Sequence, residues 1–202
     1  MDDPNDVGER LDADYSHYDF TEMVYYNWRF VRCRFIGADF SEARLNGCAF
    51  EDCDFSGAKF NAAELERCGF TNCRFAGANF FIATLKQCRL LGADFTGADP
   101  GGFTLTDCDL SFANLRHQNL KKMQWRGLKL EGADFHGADL TSADLRDCDL
   151  KGANFSGALL TGTDLRGSQM ERVDWKTVTL DKTKLDITQA TLLAQCFGAE
   201  VL

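Results

Sequence analysis

The sequence predicts an all-β chain, a right-handed quadrilateral β-helix ending in a short C-terminal helix. Three observations predict it. Every fifth residue from Tyr15 to Leu185 gives 35 positions, and all but Pro100 are Phe, Leu, Tyr, Trp or Met. Two residues before each of these centres stands mostly Ala or Cys, as at Ala38, Ala43, Cys48, Cys53, Ala58 and Ala63. Finally, the exceptions repeat every 20 residues: Leu45, Leu65 and Leu85 among Phe centres, then Phe135 and Phe155 among Leu centres.

A period of five fits neither the 3.6-residue helix nor the alternation of a strand. It fits a chain that turns a corner once per repeat, with the centre i and residue i−2 inward and the rest facing water. Asp or Asn is frequent at i−1, where its side chain can bond local backbone in a turn. Gly is frequent at i+2, where it supplies dihedrals that a Cβ resists. The 20-residue recurrence makes four repeats one coil, with like residues stacked on like as in other solenoids. Nearly nine coils at ~4.8 Å each would extend roughly 42 Å.

The elements follow in order. Residues 1–14 form a charged entry segment and N-terminal cap, and residues 15–187 the β-helix. Pro100-Gly101-Gly102 is the one flaw: proline cannot donate to a ladder or fill a Phe slot, so a kink is expected near 100, with Phe103 in a slot that is usually small. Residues 188–202 form the tail, a helix from about Thr188 to Phe197 with Thr188 as N-cap and Gly198 as C-cap. Leu192, Leu193, Cys196 and Phe197 give it an apolar face, expected to close a C-terminus-to-C-terminus homodimer because a bare β-helix end exposes strand edges.

Composition narrows the function. A net charge of −9 argues against a binder that uses basic patches, so no direct nucleic-acid contact is expected. No 18-residue apolar run exists and Met1 is followed by Asp2, Asp3 and Asp6, so no membrane span or secretory signal is expected, and the location is read as cytoplasmic. Eight of the nine cysteines occupy i−2 slots and read as reduced core filler; stacked on one face, they cannot surround a tetrahedral metal. His17, His117 and His136 fall at outward positions and read as surface residues, although His117 and His136 lie one coil apart. No nucleophile motif, phosphate loop, metal or cofactor site is expected, and a filled column leaves no cleft, so the chain is not read as an enzyme.

The repeats, of the A(D/N)Lxx kind, resemble the pentapeptide-repeat family along the whole chain. Both ends are similar to its quinolone-resistance group, the Qnr and MfpA types: VGERLDADY at Val7–Tyr15, DLSFANL at Asp109–Leu115, and the ending KLDITQATLLAQCFGAEVL. The resemblance implies a homodimer through the C-terminal helix that mimics duplex DNA, binds DNA gyrase or topoisomerase IV, and reduces the action of fluoroquinolones. Many Qnr proteins carry loops tied to drug protection; this sequence has none, so protection and simple inhibition both stay open. Asp134, Asp139, Asp144, Asp149, Asp164 and Asp174, all at i−1 in the coils nearest the dimer end, are the expected stand-ins for phosphates. The alternative is a structural scaffold or adaptor for an unrelated protein.

Overall fold

Stacking residues 20 apart requires that the chain turn four times and return, and the backbone does so. The structure, a computed structural model, describes residues 8–201; Val7 of the entry motif and residues 1–6 lie outside them. Strands β1 (Glu9–Leu11), β3 (Arg29–Val31), β5 (Ala49–Glu51) and β7 (Gly69–Thr71) form one parallel sheet. Strands β2 (Val24–Tyr26), β4 (Arg44–Asn46), β6 (Glu64–Glu66), β8 (Thr84–Lys86) and β9 (Thr104–Thr106) form a second. Every pairing joins residues 20 apart, as in Phe30 with Phe50 and Leu45 with Leu65. Single parallel bridges build the other two sides, through Asp14, Arg34, Asp54, Arg74 and Asp94 and through Asp19, Asp39, Lys59, Asn79 and Asp99. The chain divides into two compact units, residues 8–110 and 111–201. In the second unit bridges alone mark all four sides, among them Asp134 with Asn154, Asp139 with Leu159, Asp144 with Asp164 and Asp149 with Gln169.

Corners explain the repeat. Position i+2 is left-handed at corner after corner, whether it is glycine, as at Gly57 (φ 67°), or not, as at His117 (φ 57°) and Ile82 (φ 52°). A β-branched residue is the least suited to that region, so the geometry belongs to the coil and glycine only eases it.

Two corner types divide the i−2 residues. In the tight type, the N–H three residues after the centre closes a turn onto the centre's carbonyl, as from Ala58 to Phe55 and Ala78 to Phe75, both 2.9 Å. There an Asp or Asn at i−1 accepts the N–H two residues on, as Asp54 does from Ser56 at 2.9 Å. In the other type the corner joins two strands: Trp28 lies at i−2 between β2 and β3, but Cys takes this place between β4 and β5 (Cys48) and between β6 and β7 (Cys68). The cysteine thiol donates to the centre's carbonyl in the coil before, from Cys68 to Leu45 at 3.4 Å and likewise, after β9, from Cys108 to Leu85 at 3.3 Å. Ala and Cys are therefore not interchangeable fillers.

The core of the first unit is a set of aromatic stacks. Phe35, Phe55 and Phe75 run parallel at centroid spacings of 4.8 and 5.2 Å, and Phe40, Phe60 and Phe80 at 5.0 Å. At Pro100 the register is kept: Asn79 bridges Asp99, and β8 pairs with β9. The ring of Phe103 packs 5.6 Å from Phe80 and is buried.

The second unit ends in a 3-10 turn, η1 (Trp175–Thr177), and helix α1 (Ile187–Cys196). The N-cap is Asp186, not Thr188. Asp186 accepts the Gln189 N–H at 3.1 Å while Gln189 Oε1 accepts the Asp186 N–H at 2.9 Å, a reciprocal box that Thr188 cannot form. Gly198 (φ 86°) follows the C-cap Phe197, with Gly198 N–H to Gln195 O and Ala199 N–H to Ala194 O closing the end.

Gln189, fully buried, also donates from Nε2 to the carbonyls of Leu165 and Ser168 at 2.5 and 2.9 Å, and Asp186 Oδ2 accepts the Gly167 N–H at 2.7 Å. The tail thereby saturates edge groups of the coil beneath it. Gln189→Leu strands two carbonyls and the Asp186 N–H, and is expected to cost about 2–3 kcal/mol. Urea unfolding monitored by Trp fluorescence checks this.

Candidate functional site

The acidic i−1 residues of the second unit are the first candidates, and each is a turn residue before it is anything else. Asp134, Asp139, Asp144, Asp149 and Asp164 accept the N–H two residues on, at 2.9 to 3.3 Å, and Asp174 accepts that of Lys176 at 3.1 Å. Five of the six are also ion-paired: Asp134 with Arg116, Asp139 with Lys121, Asp144 with Arg146, Asp149 with Lys151, and Asp164 with Arg166. Their side chains are 11–30% exposed. The turn bonding expected of Asp at i−1 is present, and it folds each carboxylate back onto its own corner.

Electrostatics follow from those contacts. The Arg146 guanidinium holds Asp144 below the usual carboxylate range, and Arg166 does the same for Asp164. Burial pulls Asp134 upward, but the His136 N–H and Arg116 outweigh it and leave it lowered.

The structure does not gather the six into one stripe. Because one corner separates successive centres, Asp134, Asp139, Asp144 and Asp149 occupy the four different sides. Asp144 and Asp164 do stack directly, and Arg146 reaches both, at 2.6 and 4.0 Å.

In α1, Leu192, Leu193 and Cys196 are half-buried, while Phe197 is 66% and Ile187 87% exposed. Ile187 escaped the sequence reading because the helix was expected to start one residue later. Its position directly after the capping Asp186 was the signal.

The entry motif also resolves into contacts. Gly8 leaves room for Trp28: a Cβ there would meet the indole at 2.6 Å. Arg10 lies 4.6 Å over the same ring, Glu9 pairs with Arg29, and Asp12 takes two bonds from Arg32 at 2.8 Å. Each end motif thus finishes its own unit: one covers Trp28 in the first, the other saturates the last coil edge of the second.

The remaining candidates are modest. Cys148 is buried, and that burial pushes its thiol up to about 12, so it is an inert thiol at neutral pH. An open groove of about 450 Å³ is lined by Glu22, Val24, Glu42, Arg44, Ala62 and Glu64, with no hydroxyl, thiol or imidazole among them. The rings of His117 and His136 stand 5.3 Å apart. Among the described residues no helix is long and apolar enough to cross a membrane.

Comparison with known proteins agrees with this architecture. The family model for a pentapeptide repeat region matches residues 26–87 and 78–155, and the model for pentapeptide repeats in eight copies matches 138–174. No curated protein sequence matches the chain. A trypsin-treated form of QnrB1, a plasmid-mediated fluoroquinolone resistance protein, is 29% identical with a TM-score of 0.69, covering 97% of this chain and 98% of its own. Full-length QnrB1 is 27% identical with a TM-score of 0.68, covering 96% and 98%. A second trypsin-treated form is 30% identical with a TM-score of 0.67, covering 96% and 97%.

Proposed function

Since the chain belongs to the pentapeptide-repeat family as a Qnr-like member, we propose that it binds a type II topoisomerase, DNA gyrase or topoisomerase IV, as a non-enzymatic DNA mimic and lowers the action of fluoroquinolones. The observation that carries this reading is the end-to-end likeness to QnrB1, a fluoroquinolone resistance protein, over 97% of this chain. The match takes in nearly the whole of both chains, so it is not confined to a few repeats. The reading makes the acidic corners of the second unit the contact with the enzyme.

Purified protein added to gyrase in a DNA-supercoiling assay, with and without a fluoroquinolone, tests it. The expected result is concentration-dependent inhibition of supercoiling, together with less drug-induced DNA cleavage. Absence of both effects at micromolar protein would sink the reading. A scaffold or adaptor for another protein is the second reading, and the pairing of five of the six carboxylates with Arg or Lys favours it, because local neutralisation weakens a phosphate-like field.

Assembly belongs to the same proposal. Ile187 and Phe197 leave apolar surface on α1, and an isologous contact between two copies would cover it. Leu192, Leu193 and Cys196 are its half-buried flank. Phe197→Asp is expected to convert a dimer to monomers in sedimentation velocity at micromolar concentration. A wild-type monomer under the same conditions excludes this contact.

A further inference from the structure

We propose that His117 and His136 form an open two-imidazole site for a divalent late transition-metal ion. Both stand on one corner of the second unit, in successive coils. Their ring centroids are 5.3 Å apart and their planes meet at 84°. Two imidazoles that share one metal at about 2.0–2.1 Å per nitrogen, across a near-tetrahedral angle, hold their centroids roughly 5 Å apart. The centroid spacing is thus the one that two imidazoles on a shared ion would have.

Orientation is built in at His136. His136 Nδ1 lies 2.8 Å from the hydroxyl of Ser156, in the following coil. With Nδ1 engaged there, Nε2 is the nitrogen left to a metal. An outer hydrogen bond that fixes one ring nitrogen and presents the other is how metal-binding histidines are commonly set. His117 in turn leans its Nδ1–Cε1 edge over Gly137, so closely that a Cβ there would overlap the ring. Glycine at 137 is thus what lets this imidazole lie against the coil that carries His136.

The charge nearby is compatible with a cation. Arg116 adjoins His117, but the Asp134 carboxylate holds it at 2.9 Å and offsets its repulsion. Among the described residues no third His, Cys, Asp or Glu joins the pair. The remaining coordination positions belong to water, and an all-imidazole pair of this kind favours Cu2+ over Ni2+ and Zn2+.

The test titrates the metal-free full-length protein with CuCl2, NiCl2 and ZnCl2 in a calorimeter, with circular dichroism confirming the fold of each variant. One ion per chain is expected, Cu2+ binding tightest. His117→Asn and His136→Asn should each weaken binding at least about 10-fold, asparagine being chosen at 117 because it tolerates the left-handed backbone. Ser156→Ala should weaken it by about 10-fold through loss of ring orientation. His17→Asn and Cys196→Ser should leave it unchanged. In NMR, Cu2+ should broaden the ring protons of His117 and His136 ahead of those of His17. Binding that survives the two histidine substitutions, that follows Cys196 instead, or that needs millimolar metal overturns the proposal.

Discussion

Phe55→Ala is expected to lower the stability of the first unit by about 4 kcal/mol, within the roughly 3–5 kcal/mol typical of a buried Phe cut to Ala. Phe55 is fully buried, stacks on Phe35 and Phe75, and meets Phe50 and Phe70 edge-on at 5.2 and 5.8 Å. The void cannot close, because each neighbouring ring hangs from a coil fixed by ladder hydrogen bonds to the coils on either side. Phe55→Leu refills most of the volume and should cost about 1 kcal/mol. Guanidinium unfolding of both variants measures the difference. A loss below about 1 kcal/mol for the alanine would show that the column relaxes.

The second large effect is functional. Asp139→Asn, Asp144→Asn and Asp149→Asn together are expected to raise the protein concentration that half-inhibits gyrase by roughly 10-fold or more, if each charge contributes about 0.5 kcal/mol. Asparagine is the informative choice here, because its Oδ1 keeps the turn bond to the N–H two residues on. Asn154 already does this at 3.0 Å to Ser156. Charge reversal would confound the loss of charge with the loss of three corners. Unchanged inhibition by a triple variant that melts like the wild type would exclude electrostatic mimicry on those three sides and favour the scaffold reading.

Much of the fold was legible because it repeats. Each centre, from Phe35 to Phe155, reports the same geometric fact, and the Leu exceptions spaced by 20 reveal the coil length. What escaped was what a period cannot carry. The thiol bonds of Cys48 and Cys68 depend on which corner type each occupies, and Ala and Cys look equivalent to a count of small residues. Which basic residue neutralises Asp139 and Asp144 (Lys121 and Arg146) also lies beyond the period, and the spacing of five between the two does not put them on one side. In space that spacing is a quarter turn. Thr188 looked like a good N-cap by residue type, whereas Asp186 caps the helix through its reciprocal box with Gln189 and also holds Gly167, a partner 19 residues away. Gln189 reads as an ordinary polar helix residue until the carbonyls beneath it are seen.

The register of 20 also constrains how such a chain can change length. Duplicating one whole coil within a unit leaves every residue on its own side, with its neighbours above and below replaced by equivalents. Inserting a single repeat keeps the inward positions inward but carries all later residues a quarter of the way round, so a surface assembled on one side is split between two. Inserting one residue turns every later centre and i−2 residue outward and carries the i−1 and i+2 residues, mostly Asp, Asn and Gly, into the core. Heritable length variation should therefore come in three grades, silent, reorienting and lethal to the fold. Chains engineered with 20, five and one added residues after Leu65 would sort into them by melting temperature and by retention of partner binding.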